Sequence, residues 1–189
     1  SIVKMSHLRA QVMQIYNQTK SYLKNPQPVS DNLLYGEFHE NSKHTTRMPY
    51  MKPVYDVLEK NRGKVIYFDF WARWCPPCLA EMEPLKQLRS KFSTDDLIIY
   101  SICVSEPKEQ WEECLNEYSL RNRGIECVHV TDYLGIDNYQ KIRKQWKIDR
   151  MPYYILINRQ GQIIDFGTAA RPSNPQLVSR IEEAVKDTK

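Results

Sequence analysis

An apolar run, Lys64-Val-Ile-Tyr-Phe-Asp-Phe70, is followed after four residues by two cysteines spaced three apart, Cys75-Pro-Pro-Cys78. A short, nearly continuous apolar run reads as a strand buried on both faces, as in the interior of an α/β sheet. Pro76 and Pro77 then occupy positions where a helix tolerates proline, because its first N–H groups have no acceptor within the helix. The pattern predicts a helix over 75–92 with Cys75 at its mouth.

The rest of the chain fits the same alternation. Val54, Tyr55 and Leu58 suggest a short helix stopping at Arg62-Gly63, glycine being the usual terminator. Downstream, the periodicity predicts a buried strand over 97–104, a helix over 107–120 and a short strand over 126–130. A helix over 137–147 follows, then a hairpin of 153–158 and 162–166 across Arg159-Gln160-Gly161, and a last helix over 174–186. Strands alternating with helices, closed by a hairpin and a helix, describe an α/β sandwich around a mixed β-sheet.

Before this block, Ile2, Met5, Leu8, Val12, Ile15 and Leu23 recur at helical spacing, which predicts an amphipathic helix over 2–23 that ends at Asn25-Pro26. Residues 24–50, with Pro26, Pro28, Gly36 and Pro49 among polar residues, read as a linker or wrapping segment. The expected division is 1–50 for the N-terminal helix and linker and 51–189 for the folded domain.

Composition narrows the function. The 27 Lys plus Arg against 23 Asp plus Glu leave a net charge of +4, too thin a basic excess to point to nucleic acid. The densest basic stretch, Lys141, Arg143, Lys144, Lys147 and Arg150, reads as a solvated helix face, the alternative being a site for an acidic partner. No apolar stretch is long enough for a membrane span. No short apolar targeting run follows Ser1, so a targeting peptide is expected to be removed or to lie outside this chain. The 5 cysteines are too few for a disulfide scaffold, and their odd number leaves at least one unpaired within the chain.

Chemistry is concentrated at Cys75 and Cys78. At the mouth of a helix, free N–H groups and the helix dipole stabilise a thiolate. Residues three apart on a helical turn bring their Cα atoms to about 5–6 Å, within reach of a disulfide that opens and closes without moving the backbone. Cys75, nearer the helix end and solvent, is expected to attack; Cys78, one turn in, is expected to be more buried and to resolve a mixed disulfide. Pro76 and Pro77 remove two donors that would have faced the Cys75 sulfur, which favours a reductant, while Arg73 pushes the other way.

Asp69-Phe-Trp-Ala-Arg-Trp-Cys-Pro-Pro-Cys78 resembles the active-site signature of the thioredoxin superfamily, D-F-W-A-x-W-C-x-x-C. Arg150-Met151-Pro152-Tyr153, entering an apolar strand, resembles that superfamily's cis-proline loop. Glu81 and the strand–helix–strand insertion over 97–130 resemble the TlpA/ResA-like branch of extracytoplasmic bacterial thiol–disulfide oxidoreductases. The likeness covers residues 51–189. It implies a thioredoxin-like three-layer α/β sandwich with an insertion after the second core strand and an N-terminal helical extension.

It further implies Cys75 as nucleophile, Cys78 as resolving thiol, the two forming a redox-active disulfide, and Asp69 as the buried proton acceptor for Cys78. A cis Met151–Pro152 bond would turn backbone towards the sulfur to pair with an extended substrate, with Trp74 as a contact residue and Trp71 in the core. Glu81 either tunes the pair or sits on a wet helix face. The implied activity is disulfide reduction on protein substrates, with a thiol electron donor, no bound cofactor, an extracytoplasmic or periplasmic location and a part in cell redox homeostasis. One departure stands out: the family's kink-forming proline lies five residues after the second cysteine, whereas Pro84 lies six after Cys78.

Other readings are weaker. Cys127 and His129, alternating on one strand, offer the only nearby candidate spacing for completing a zinc site with Cys75 and Cys78, but such cysteines are more often core residues. His39-Glu40 with His44 mimics a zinc-protease motif, one residue too long to put both imidazoles on one helix face. A thiol peroxidase would need a threonine three residues before its cysteine, where Cys75 has Ala72 and Cys78 has Cys75. A non-catalytic peptide-binding module has no use for an intact dithiol.

Overall fold

The computed structural model describes residues 27–28, 49–105 and 107–187. The helix expected over 2–23 and the His39, Glu40 and His44 motif lie outside the described residues, as does most of the segment read as a linker. In chain order the strands are β1 (Gln27–Pro28), β2 (Val65–Trp71), β3 (Leu97–Cys103), β4 (Ile125–His129), β5 (Tyr153–Ile157) and β6 (Gln162–Gly167). The helices are α1 (Lys52–Lys60), α2 (Pro76–Leu79), α3 (Met82–Ser90), α4 (Lys108–Glu117), α5 (Val130–Tyr133), α6 (Ile136–Gln145) and α7 (Pro175–Lys186).

One mixed sheet runs in the order β1-β6-β5-β2-β3-β4. β2, β3 and β4 are parallel, whereas β5 runs antiparallel to β2 and β6 antiparallel to β5. All seven residues of β2 are buried, Asp69 included, as an otherwise apolar run requires of an interior strand. Gln27 and Pro28, expected in a linker, instead pair with Ile163 and Gln162 as a two-residue edge strand, the kind of position where a sheet tolerates proline.

Period-two alternation turns Tyr67, Asp69 and Trp71 to one face of β2 and Phe68 and Phe70 to the other. The second face is aromatic: Phe68 packs on Trp146 just past α6, Phe70 on Tyr139 of α6, and Tyr100 on Tyr133 of α5. On the first face Trp111 of α4 meets His129, and Arg180 of α7 pairs with Asp165. The result is the three-layer α/β sandwich expected from the sequence.

Two local departures have physical causes. The helix expected over 75–92 is broken between α2 and α3, at Ala80 and Glu81. Pro84 has no N–H to give the Ala80 carbonyl, and its ring crowds that carbonyl, so the turn tightens and Glu81 N–H bonds instead to Cys78 O at 3.0 Å. Val130, read as the end of a strand, begins the one-turn helix α5 because the His129 side chain caps it by accepting from Thr131 N–H.

Candidate active site

β2 ends at Trp71, and a tight turn closed by Cys75 N–H on Ala72 O (3.1 Å) delivers Cys75 to the N-cap of α2. Cys75 has extended backbone, and its carbonyl accepts from Cys78 N–H and Leu79 N–H at 2.9 and 3.1 Å. Its sulfur accepts from Cys78 N–H at 3.3 Å. Pro76 and Pro77 carry no N–H, so no peptide donor reaches that sulfur from the two residues in between.

Cys75 and Cys78 form a disulfide with their Cα atoms 5.2 Å apart. The expected contrast in exposure is absent: Cys75 is 3% and Cys78 2% exposed. In the oxidised pair one covalent bond holds both sulfurs in a shared environment, so position along the helix does not separate them.

Asp69 lies on the same strand, 4% exposed, opposite Ser101 on β3 and Tyr154 on β5. Ser101 Oγ donates to Asp69 Oδ2 at 3.0 Å. Burial pushes the Asp69 carboxyl up to about 7; the Ser101 hydrogen bond opposes this, and the nearby Glu81 charge adds to it. Tyr154 is raised well above the ordinary phenol range by burial and by Asp69 and Glu81. A buried carboxyl that exchanges its proton near neutrality is suited to general acid–base work.

Glu81 is 8% exposed and does not sit on a wet helix face. The break at Ala80 turns it inward, where its oxygens accept from Ser173 N–H (2.8 Å) and Ser173 Oγ (2.7 Å) in the loop before α7. Neither Ser101 nor Ser173 was anticipated from the sequence. Ser101 left one trace, a small hydroxyl inside the apolar run of β3; Ser173 left none, since it lies 92 positions from its partner.

Trp74 is 64% exposed beside the cysteines, its indole N–H donating to Ser105 Oγ, whereas Trp71 is fully buried. Arg73 is turned towards Glu113 of α4, at 3.4 Å. The Met151–Pro152 bond is cis. The register of Phe70 opposite Tyr153 sets Pro152 at the end of the sheet where Trp71 leads into the cysteine turn. Met151 is half-buried and Pro152 buried.

The other cysteines take no part in the disulfide: Cys103 and Cys114 are buried, and burial raises the half-buried Cys127 thiol to about 11. Cys127 Sγ lies against the carbonyls of Leu120 and Ile125, and His129 Nδ1 against Thr131 Oγ1 at 2.6 Å. Among the described residues no three His, Cys, Asp or Glu side chains are grouped to hold a metal.

The Redoxin family model matches residues 52–185. The thiol-disulfide oxidoreductase ResA of Halalkalibacterium halodurans is 25% identical over 129 residues, 68% of this chain and 66% of that protein. The sporulation thiol-disulfide oxidoreductase A of Bacillus subtilis is 22% identical over 57% of this chain and 61% of its own length. The chain therefore spans a little under two thirds of these relatives. Among solved structures, a candidate thiol-disulfide oxidoreductase of Bacteroides vulgatus is 32% identical with a TM-score of 0.54, covering 67% of this chain and 76% of that one. A thiol:disulfide interchange protein from Bacteroides sp. shares the fold at a TM-score of 0.57 and 23% identity, covering 70% and 80% of the two chains.

Proposed function

Because the chain belongs to the Redoxin family, in the TlpA/ResA-like branch of the thioredoxin superfamily, we propose that it is a thiol–disulfide oxidoreductase that works as a disulfide reductase on protein substrates. One observation carries the reading: Cys75 and Cys78 close a single disulfide at the helix mouth, at the end of the strand that bears a buried carboxyl titrating near 7.

The reaction begins with the reduced pair. The Cys75 thiolate attacks one sulfur of a substrate disulfide and expels the other as a thiolate, which takes up a proton from solvent. Cys78 gives its proton to the Asp69 carboxylate and attacks Cys75 Sγ, releasing the second substrate thiolate. Two electrons pass from the dithiol to the substrate, and the chain is left with the Cys75–Cys78 disulfide. A thiol electron donor then resets it, and no bound cofactor takes part.

Trp74 and the Met151–Pro152 loop hold the substrate. Exposed indole offers apolar contact area, and a loop at the end of the sheet offers backbone to pair with an extended segment. Glu81 tunes the pair from the break after α2 through its charge near Asp69. We place the protein outside the cytoplasm on its likeness to the TlpA/ResA-like branch; among the described residues no helix is long and apolar enough to cross a membrane.

Trapping tests the reading. With Cys78→Ser, a disulfide-bearing protein substrate should accumulate as a mixed disulfide on Cys75, detected as a dithiothreitol-sensitive adduct. Cys75→Ser should form none. An adduct that forms equally on Cys78 in the Cys75→Ser variant contradicts the assignment of nucleophile.

A further inference from the structure

Ser101 stands in the middle of β3, fully buried, opposite Asp69 in the parallel β2–β3 register. Among the described residues its hydroxyl is the one hydrogen-bond donor on the Asp69 side chain. Resting on the reading of Asp69 as proton acceptor for Cys78, we propose that Ser101 is a positioning residue of this site: its hydroxyl aims the Asp69 carboxylate and favours the charged, proton-accepting form that the second thiol transfer needs.

The surroundings leave this task to Ser101. Tyr67, on Asp69's own strand, has its hydroxyl committed to Ala170 O at 2.6 Å. Tyr154 on β5 has a buried hydroxyl with no partner among the described residues. Cys127 on β4, opposite Ser101, keeps its sulfur near backbone carbonyls. Glu81, ahead of α3, brings negative charge, and on β6 Asp165 is already paired with Arg180 of α7. No cation of the described residues is among the groups acting on Asp69. Burial and Glu81 therefore both favour the protonated carboxyl, and the Ser101 hydrogen bond alone favours the charged one. A neutral donor can restrain the proton affinity of a buried acid without pinning it ionised, which keeps both proton states accessible near neutrality.

The test uses Ser101→Ala, which removes the donor, and Ser101→Thr, which keeps it. The first readout is the titration of the Asp69 carboxyl carbon by NMR, which does not depend on activity. The second is the pH profile of resolution, followed as release of reduced substrate protein from a preformed mixed disulfide on Cys75. Ser101→Ala should move the Asp69 midpoint upward by about one pH unit. It should slow resolution at pH 7 about fivefold, with the rate recovering towards about pH 9. Ser101→Thr should stay with the parent protein. In an Asp69→Asn background Ser101→Ala should no longer move the profile.

An Asp69 midpoint that stays or falls in Ser101→Ala overturns the proposal, as does an equal shift of the profile in the Asp69→Asn background. If the midpoint moves but parental resolution is indifferent to Asp69→Asn, the reading of Asp69 fails and Ser101 has no part in the transfer. Failure of the oxidoreductase reading itself shows separately, as absence of any mixed disulfide on Cys75.

Discussion

Glu81 grips Ser173 across 92 positions of sequence, taking its backbone N–H at 2.8 Å and its hydroxyl at 2.7 Å. The two contacts tie the break after α2, three residues beyond Cys78, to the loop that enters α7. Without Glu81, the Ser173 peptide N–H and hydroxyl lose their protein acceptor. Glu81→Ala should cost about 2 kcal/mol in urea unfolding of the oxidised protein, and Glu81→Gln, which keeps one acceptor oxygen, about 1 kcal/mol. Equal stability of all three proteins would show that the grip contributes nothing.

Asp69 makes stability depend on pH in a defined direction. Folding raises its carboxyl from 3.8 to about 7, so between those values the folded state holds a proton that the unfolded state has released. Stability attributable to this group therefore falls as pH rises through that window and stays low above it. Asp69→Asn removes the penalty: melts of the oxidised protein should show the variant more stable by about 4 kcal/mol at pH 8 and the difference gone below pH 4. A variant no more stable at pH 8 than at pH 4, relative to the parent, contradicts the raised carboxyl.

What the sequence disclosed was what lies close along the chain. The buried run of β2, the Cys75–Cys78 spacing, the prolines at the helix start and the Asn158–Gln162 hairpin are local patterns, and each element appeared within a residue or two of its expected place. What it concealed depends on contacts made in space. Ser101 meets Asp69 only through the pairing of two strands 32 positions apart, and Ser173 meets Glu81 only through a loop from the far end of the chain. Glu81 was ambiguous because its direction is set by the break before Pro84, and on an unbroken helix it would have faced elsewhere. Gln27 and Pro28 carry no strand pattern of their own, and only the free edge of β6 recruits them.

Trp74 and Trp71, three residues apart, are expected to behave as opposites. Trp74→Ala removes an exposed ring and should change stability by less than about 0.5 kcal/mol while raising KM for a protein disulfide several-fold. It should leave reduction of a small disulfide such as bis(2-hydroxyethyl) disulfide unchanged. Trp71→Ala empties a fully buried site and should cost about 3–5 kcal/mol. Equal KM effects of Trp74→Ala on large and small substrates would remove its contact role.

The direction of electron flow is read from the equilibrium reduction potential of the Cys75–Cys78 pair in glutathione or dithiothreitol buffers. A reductase with two prolines between its cysteines should lie near thioredoxin, at about −270 mV or below. A value of about −120 mV would make the pair an oxidant and contradict electron flow from the dithiol to substrate. Absence of a reversible two-electron couple would contradict the oxidoreductase assignment and leave a peptide-binding module in its place.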